Sequence, residues 1–434
     1  MKLLKTFMFL VLPGFLFSCA TASFSGVDGR VTKGDFPEGV QELEKGKDRL
    51  YRVQDTVLYY LDKGLITHYA GLYGDSSALL EDGERAIEAA YTKSVTALAG
   101  SYLINDTVLE YPGEDYEDVY INTFNALNYY HRGAMEDAMV EIRRMNEKVQ
   151  FLASKYGIVI SELQKKALEE NTAVPPDYES ADFSDSALAR YLGMLFHRAA
   201  GHADDARIDY EHLRTAFANA PGVYTFPPPS SLEGELDVPD GMARLNVIAF
   251  SGLSPVKKEE TLRIPVSLSN YVKIALPVLS PRNSLVAAVD IAVDGGKTMS
   301  LELLEDIDAV ARETFKNKRT FIYFKTIIRA VTKGAASAAL DAGSEASEGN
   351  AALVFGVLGL ANKVFAEVTE KADLRISRYF PARAWVGGLN LAPGSYSFTV
   401  NYRDSRGQVI SSFRREDVEL SDGALNLSES ACLK

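Results

Sequence analysis

Histidines and aspartates cluster within residues 197–212, and both side chains are common ligands of transition metals. The cluster comprises His197, His202, His212, Asp204, Asp205 and Asp209. A metal site needs ligands that converge on one point. His197 and His202 lie on opposite sides of a predicted turn, and the aspartates are typical of a solvated helical face. We therefore predict no metal site, and no other pattern in the sequence requires a cofactor.

The stretch Asp294-Gly295-Gly296-Lys297-Thr298 ends like a phosphate-binding loop. Such a loop needs an earlier glycine, separated by four residues from Gly296, and Ile291 stands at that position. Strand-like residues flank the stretch, and glycine readily adopts the positive φ of a tight hairpin. A hairpin turn is therefore predicted here, and nucleotide binding is not.

Other arrangements of catalytic residues are absent from the sequence. It contains no Gly-x-Ser-x-Gly elbow, no His-Glu-x-x-His motif and no Cys-x-x-Cys pair. Cys432 has no recognisable histidine partner, and His68 and His131 are isolated in the sequence. We therefore predict that the protein is not an enzyme.

The overall charge argues against one class of partner. The chain has 434 residues, enough for two or three hydrophobic cores, and a formal net charge of −13. A nucleic-acid-binding protein presents a basic surface, because the phosphate backbone is anionic. We therefore expect no nucleic-acid partner.

The first residues have the pattern of a secretory signal peptide. Lys2 and Lys5 precede an apolar run that is shorter than the roughly 20 residues needed to span a bilayer. Leu16-Phe17-Ser18-Cys19 then resembles a bacterial lipobox, in which a peptidase cuts before the cysteine and the thiol carries lipid. The resemblance implies palmitate on Cys19 and, because Ala20 rather than aspartate follows, an outer-membrane destination. An ordinary signal peptide cleaved near residues 20–22 is the alternative.

The stretch Tyr116–Gln150 predicts two antiparallel helices. Apolar residues recur at three-residue steps from Ile121 to Leu127. The pattern breaks at residues 132–134, and a second apolar face starts at Ala138. Neither helix can bury its apolar stripe alone, so the two helices pack against each other.

This pair resembles a tetratricopeptide repeat, a helix–turn–helix unit of 34 residues. The positions that match its small, tyrosine, glycine and alanine residues are Ala126, Tyr129, Gly133 and Ala138. A partial match recurs within residues 201–210, and a weaker one within residues 69–74. The resemblance implies divergent, tetratricopeptide-like helix pairs.

In tetratricopeptide proteins, the first helix of each pair lines a concave groove, so the resemblance implies a partner-binding face on this chain. Carried over position by position, that face comprises Tyr120, Thr123, Leu127, Tyr130 and His131. Aromatic side chains with polar tips suit an extended peptide, because they bury area at low entropic cost. The alternative is that Tyr120 and Tyr130 pack on the neighbouring helix pair.

Changes in composition divide the chain into five segments. Residues after the lipobox are small and polar, three prolines at 227–229 forbid helix, and the residues beyond them alternate as in strands. The predicted segments are a signal peptide at 1–18, a flexible tether at 19–38, a tetratricopeptide-like helical domain at 39–222, a Pro-rich linker at 223–240, and a β-sandwich-like domain at 241–434 with a helical insertion at about 304–370. The predicted fold class is α+β.

The insertion contains a nearly uncharged segment, Ala351–Phe365, with glycines at two positions. Small residues permit close helix approach, so one hypothesis is a hairpin that contacts lipid or another copy of the chain. The apolar run is shorter than a membrane span, which favours the alternative of a buried helix between the domains.

Further blocks resemble a narrower family. They are Glu110-Tyr111-Pro112-Gly113-Glu114, Val140-Glu141-Ile142-Arg143-Arg144, Glu370-Lys371-Ala372-Asp373-Leu374-Arg375 and Pro393-Gly394-Ser395-Tyr396. Together they resemble an uncharacterised family of bacterial envelope lipoproteins with a helical repeat region and a C-terminal β region. The resemblance implies location and architecture, and it supplies no activity.

These observations lead to one functional prediction and one alternative. We expect a lipid-anchored, non-catalytic scaffold or adaptor of the cell envelope, on the outer membrane and facing the periplasm, that binds an envelope protein through its helical groove. The alternative is an envelope hydrolase or glycan-acting enzyme with an unrecognised site.

Overall fold

The computed structural model describes residues 23–98, 106–169, 181–265, 271–341 and 371–434. Within these residues the chain is a mixed α+β protein, as the sequence predicts. The predicted signal peptide (1–18) and the predicted lipidation site Cys19 lie outside the described residues, and so does the segment Ala351–Phe365.

Most helices precede the strands, and one long helix is inserted among them. The helices are α1 (Ser25–Val31), α2 (Phe36–Leu50), α3 (Thr56–Tyr69), α4 (Tyr73–Leu98), α5 (Asp115–His131), α6 (Met135–Glu169), α7 (Ala187–Ala199), α8 (Ala203–Asn219) and α9 (Ile307–Asp341). The strands are β1 (Ala243–Ser251), β2 (Val256–Pro265), β3 (Tyr271–Ser280), β4 (Ala288–Val293), β5 (Thr298–Asp306), β6 (Arg383–Leu391), β7 (Gly394–Arg403), β8 (Val409–Leu420) and β9 (Asn426–Cys432).

The helix pairs α3–α4, α5–α6 and α7–α8 are joined by the same type of turn. A glycine in each turn adopts the left-handed conformation. These glycines are Gly71, Gly133 and Gly201, with φ of +76°, +75° and +76°. The residue after each glycine donates its backbone N–H to the carbonyl five residues earlier, as in a Schellman cap. The turns predicted at Gly133 and Gly201 are therefore confirmed, and the turn at Gly71, within residues 69–74, has the same geometry.

Seven strands form a single sheet in the order β8-β7-β4-β5-β6-β1-β9, and β2 pairs with β3 in a separate ribbon. Only the β1–β9 pairing within the sheet is parallel. The two outer strands approach each other, since Arg415 Nη2 of β8 donates to the backbone oxygen of Glu429 in β9 at 2.9 Å. The predicted β-sandwich is therefore wrong, because one twisted sheet curls into a near-barrel and encloses its own core.

The sheet is apolar on both faces. Its inner face, including Val247 and Ala249 of β1, forms a core within the near-barrel. Its outer face, including Ile248 and Phe250 of the same strand, belongs to one core with the helices. This alternation explains why every residue of β1 is buried. The predicted boundary between a helical and a β domain therefore does not separate two cores.

The flexible tether predicted at 19–38 is wrong where the structure describes it. Residues 25–31 form α1, and Val27 and Val31 are buried in the shared core. Asp28 accepts hydrogen bonds from Arg378 Nη2 at 2.7 Å and from the Tyr379 hydroxyl at 2.9 Å. Two valines four residues apart are too short a pattern to reveal a helix, and tertiary burial holds it in place.

The predicted linker contains a short helix, and the predicted helical insertion is confirmed in part. The 223–240 segment contains a 3₁₀ helix, Ser230–Glu235, in which Leu232 and Glu235 are buried. The helical insertion is confirmed from Ile307 to Asp341, where it forms α9 between β5 and β6. Residues 304–306 belong to β5 instead, and residues 342–370 lie outside the described ranges.

Candidate functional site

Helix α5 carries the residues predicted to line a partner groove, and the structure places them inside the protein. Tyr120, Thr123 and Leu127 are fully buried, and Tyr130 and His131 are partly buried. Tyr120, Tyr130 and His131 hydrogen-bond to the sheet, whereas Thr123 faces Met145 of α6. The predicted open groove is therefore wrong. The alternative of packing on the neighbouring helix pair is correct for Tyr130, whose ring stacks on Phe196 of α7 with centroids 6.1 Å apart. Both tyrosines also bond to the sheet region.

Tyr120 donates its hydroxyl to Glu305, a fully buried carboxylate at a β-bulge in β5. Ser186 Oγ donates to the same carboxylate at 2.8 Å, and the backbone N–H of Leu188 donates at 2.6 Å. Ser186 is the N-cap of α7, so the carboxylate lies at a helix N-terminus, where the dipole favours an anion. Burial raises the pKa of Glu305 to about 7, although the hydrogen bonds from these donors lower it.

A carboxyl group with a pKa near 7 could act as a general acid or base. Glu305, however, has no exposed surface, and donors from α5 and α7 engage both of its oxygens. A catalytic group must reach a substrate atom within hydrogen-bond distance. The geometry therefore makes Glu305 a junction between β5 and two helices.

A second buried carboxylate, Glu429, joins β9 to the helices. Its Oε1 lies 2.6 Å from His68 Nε2 of α3, and its Oε2 lies 3.0 Å from His131 Nε2 of α5. The other ring nitrogen of His68 lies 2.7 Å from Asn128 Oδ1, and Asn128 Nδ2 donates to Ser76 Oγ. His68 thus has an oxygen acceptor at each ring nitrogen, which favours its doubly protonated, cationic form.

The charges of His68 and Glu429 shift both pKa values. Burial lowers the pKa of His68, but the charge of Glu429 and the hydrogen bonds outweigh burial and raise it above its ordinary value. Burial raises the pKa of Glu429, but His68 and His131 outweigh burial and hold it well below its usual range. The interpretation of the two histidines as isolated is therefore wrong, because the fold brings β9 between them.

Equivalent positions of the three helix pairs all bond to the sheet region. These positions, three residues before each turn glycine, are His68, Tyr130 and Arg198. The Tyr130 hydroxyl donates to the backbone oxygen of Leu425 at 2.9 Å and accepts from the N–H of Leu427 at 3.0 Å. Arg198 Nη2 donates to Asn246 Oδ1 of β1 at 2.8 Å. The first helices of all three pairs therefore present the same face to the sheet.

Two further buried acids hold the segment that leads into β6. Asp62 of α3 accepts from Ser377 Oγ at 2.8 Å and from the backbone N–H of Arg378 at 2.7 Å. Glu117 of α5 accepts from the backbone N–H of Ser377 at 2.6 Å. Burial raises the pKa of Asp62 to about 6, and burial together with the nearby charge of Glu114 raises that of Glu117 to about 7.

The turn between α7 and α8 brings together side chains that the sequence analysis separates. One ligand atom from each of His197, His202 and Asp205 lies within 4.8 Å of the others. The expectation that the two histidines cannot converge is wrong, because Gly201 reverses the chain and the N–H of His202 donates to the carbonyl of His197 at 2.9 Å. His212 lies outside the cluster, 3.5 Å from a carboxylate oxygen of Asp185.

The structure places the Gly295–Gly296 pair in a turn and Cys432 in a hydrophobic core. Gly295 and Gly296 form the turn between β4 and β5 with φ of +96° and +100°, which confirms the predicted hairpin. Cys432 is buried in the core of the near-barrel, and burial raises the pKa of its thiol.

The membrane-spanning potential of the helices and three comparisons with known proteins complete the description of the chain. Among the helices in the described ranges, none has the length and apolarity needed to cross a membrane. Comparisons with family models, curated proteins and solved structures found no match to this chain. Its function is therefore inferred from its own residues.

Proposed function

We propose that this protein is a lipid-anchored, non-catalytic scaffold of the bacterial cell envelope, whose tetratricopeptide-like helix pairs bind a protein partner on the side away from the sheet. The observation that carries the proposal is the repeated docking of α3, α5 and α7 on the sheet through His68, Tyr130 and Arg198. Stacked helix pairs commonly provide extended binding surfaces. Because the sheet covers the first helices, the exposed faces of α4, α6 and α8 remain for a partner.

The buried acids support a non-catalytic role. Asp62, Glu117 and Glu305 have raised pKa values, yet each is at most 1% exposed. Each accepts a hydrogen bond from a residue distant in the sequence, Ser377 for Asp62 and Glu117, and Ser186 for Glu305. Holding helices, sheet and connecting segments together therefore explains the environment of all three acids. Raised pKa values of this kind occur in structural networks as well as in active sites.

The proposed partner surface is the outer face of α6. Val140 and Phe151 are 40% and 52% exposed, so α6 presents two large apolar side chains to solvent while its other face packs on the core. They are eleven residues apart, close to three helical turns, so they lie on the same face. Two such anchors suit a partner that presents an apolar helix or strand.

Capture of crosslinked partners from membranes of the native host tests the surface. The protein carries a C-terminal tag and keeps Cys19, and the recovered partner is quantified for each variant. We expect Phe151→Asp to reduce recovery at least fivefold without changing the melting temperature. Val53→Asp is the matched control, because Val53 is 92% exposed and lies outside α6. Equal recovery with both variants would contradict the α6 surface.

The membrane anchor has a separate readout. Residues 16–19 resemble a lipobox, so wild-type protein should incorporate radiolabelled palmitate in its native host, and Cys19→Ala should not. Equal labelling of the two proteins would contradict lipidation at Cys19. Failure of the anchor would leave the α6 surface intact, so the two parts of the proposal are judged independently.

A further inference from the structure

We propose that the turn between α7 and α8 is a binding site for a divalent transition-metal ion, with His197, His202 and Asp205 as its protein ligands. The three residues come from both sides of one tight turn. His197 lies in the last turn of α7, His202 is the N-cap of α8, and Asp205 is the third residue of that helix. The site therefore ties the end of one helix to the start of the next.

The geometry of the turn places these three side chains on the same side of the helix pair. Residues at the N-cap and at the third helical position lie on the same face of the first turn, as in a capping box, so His202 and Asp205 are neighbours. Gly201 adopts a φ of +76°, which folds α8 back along α7 and places His197 opposite them. The two histidine ring centroids are 5.9 Å apart.

The separations are close to those of a metal site. Ligand atoms from the three residues already lie within 4.8 Å of one another. Bonds of about 2.0–2.2 Å to a tetrahedral ion place its ligands roughly 3.3–3.6 Å apart. Side-chain rotations that move the ligand atoms by roughly 1 Å bring them to these separations. His202 and Asp205 are exposed, so they can rotate without disturbing the core.

One ring nitrogen of His197 lacks a hydrogen-bond partner among the described residues. Its Nδ1 is buried and has no hydrogen-bond partner there. Its Nε2 lies 3.8 Å from Asp209 Oδ2, which is beyond hydrogen-bond distance, and Arg190 Nη1 holds the other oxygen of Asp209 at 2.9 Å. Ligating histidines typically direct one nitrogen at the ion and the other at a carboxylate. Asp209 is placed to be that carboxylate.

The donor set selects the class of ion. Two imidazoles and one carboxylate provide nitrogen and oxygen donors that suit Zn²⁺, Ni²⁺ or Cu²⁺, whereas Mg²⁺ and Ca²⁺ prefer oxygen-rich sites. Three protein ligands leave at least one coordination position for water. Zn²⁺ is the probe of choice, because it has no geometric preference from d-electrons and tolerates the exposed, adjustable site.

Titration of the full chain with Zn²⁺ tests the proposal. The protein is purified without a polyhistidine tag, stripped of metal, and titrated calorimetrically against ZnCl₂ with excess Mg²⁺ present. We expect one equivalent to bind with a dissociation constant of 10 µM or tighter. We expect His202→Ala and Asp205→Asn each to weaken binding at least tenfold, with circular dichroism confirming that the variants fold.

His212→Ala is the matched control, because His212 is on α8 but outside the cluster. Binding by this variant should equal that of wild type, and Zn²⁺ should raise the melting temperature of both proteins but not that of His202→Ala. Binding of less than one equivalent to wild type, or equal affinity in His202→Ala and His212→Ala, would overturn the proposal. Neither result bears on partner capture by α6.

Discussion

Among individual residues, His68 and Glu429 make a buried ion pair whose strength depends on pH. The pKa of His68 lies above its ordinary value of 6.5, so its contribution to stability is complete below pH 6.5 and is lost as the pH rises through the folded-state pKa. The pKa of Glu429 lies below its ordinary value of 4.5, so its contribution is present above pH 4.5 and is lost as the pH falls through the folded-state value. The pair therefore stabilises the fold most between pH 4.5 and 6.5.

Removing the charge of Glu429 should expose this dependence. We expect Glu429→Gln to lower the free energy of unfolding by about 3 kcal/mol at pH 5.5, because it leaves the buried His68 without its anion. The loss should shrink as the pH rises above 6.5 and through the folded-state pKa of His68, where His68 of the wild type also becomes neutral. Urea unfolding of both proteins between pH 5.5 and 9, followed by circular dichroism, measures the difference.

The difference between the two proteins isolates the interactions of Glu429, which bonds to His131 as well as to His68. Glu305, Glu117 and Asp62 also titrate over this range, but they do so in both proteins and cancel. Glu416→Gln, on the exposed face of β8, is the control and should change stability little at any pH. A loss in Glu429→Gln that stays constant from pH 5.5 to 9 would show that the interaction is not ionic.

At the scale of helices and strands, the turns of the three helix pairs contain glycines in the left-handed conformation, in which most other residues are strained. Gly71 has a φ of +76°, and a Cβ built on it would meet no atom within 4 Å. Gly74, three residues later in α4, has equally open surroundings and is not among the glycines with positive φ. The two positions therefore separate the effect of backbone conformation from the effect of crowding.

Alanine substitution should have opposite effects at these two glycines. We expect Gly71→Ala to lower the free energy of unfolding by about 1 kcal/mol, because an L-residue is strained in the left-handed region. Gly74→Ala should raise it by about 0.5 kcal/mol, because alanine reduces the entropy of the unfolded chain and favours helix. Urea unfolding of the two variants and the wild type measures both changes in the free energy of unfolding. Equal effects would contradict a requirement for the left-handed conformation at Gly71.

For the whole molecule, the helices and the outer face of the sheet share one core, so we expect them to unfold as one unit. Phe250 of β1 packs on Phe124 of α5 with ring centroids 5.3 Å apart. Trp385, the only tryptophan of the chain, lies in β6 and donates its indole N–H to Ser251 Oγ at 2.8 Å. Tryptophan fluorescence therefore reports on the sheet, while the far-ultraviolet dichroism is dominated by the helices.

Denaturant unfolding should give one transition for both signals. We expect the fluorescence and dichroism midpoints to coincide in wild type. Phe250→Ala should lower both midpoints together, with a loss of about 3–5 kcal/mol, because it opens a cavity between β1 and α5. Two separate midpoints, or a change in the fluorescence midpoint alone, would support the independent domains that the proline-rich segment predicts.

Features that depend on near neighbours were predictable from the sequence. Helical periodicity located α5 and α6, and glycine located the turns at Gly133 and Gly201. The alternation beyond the three prolines indicated strands, of which β1 is the first. These patterns are reliable because the backbone of a helix, a turn or a strand is largely determined within a few residues.

Strand β9 could not be predicted from the sequence. Its residues, Asn426–Cys432, include two serines, an asparagine and a glutamate and have no strong strand pattern. Only the fold pairs it with β1, closes the sheet against β8, and sets Glu429 between His68 and His131. A polar strand is stable there because neighbouring residues form hydrogen bonds with its buried polar groups. Those neighbours are distant in the sequence, so a single sequence does not reveal them.

The sequence by itself determined the α+β class, the helix pairs and their turns. The tertiary structure alone decided that the sheet curls on itself, that it covers the predicted groove of α5, and that His197 and His202 meet across Gly201. The physical reason is distance along the chain. Hydrophobic periodicity tells which face of an element is buried, but what buries it depends on contacts between residues hundreds of positions apart, such as His68 and Glu429.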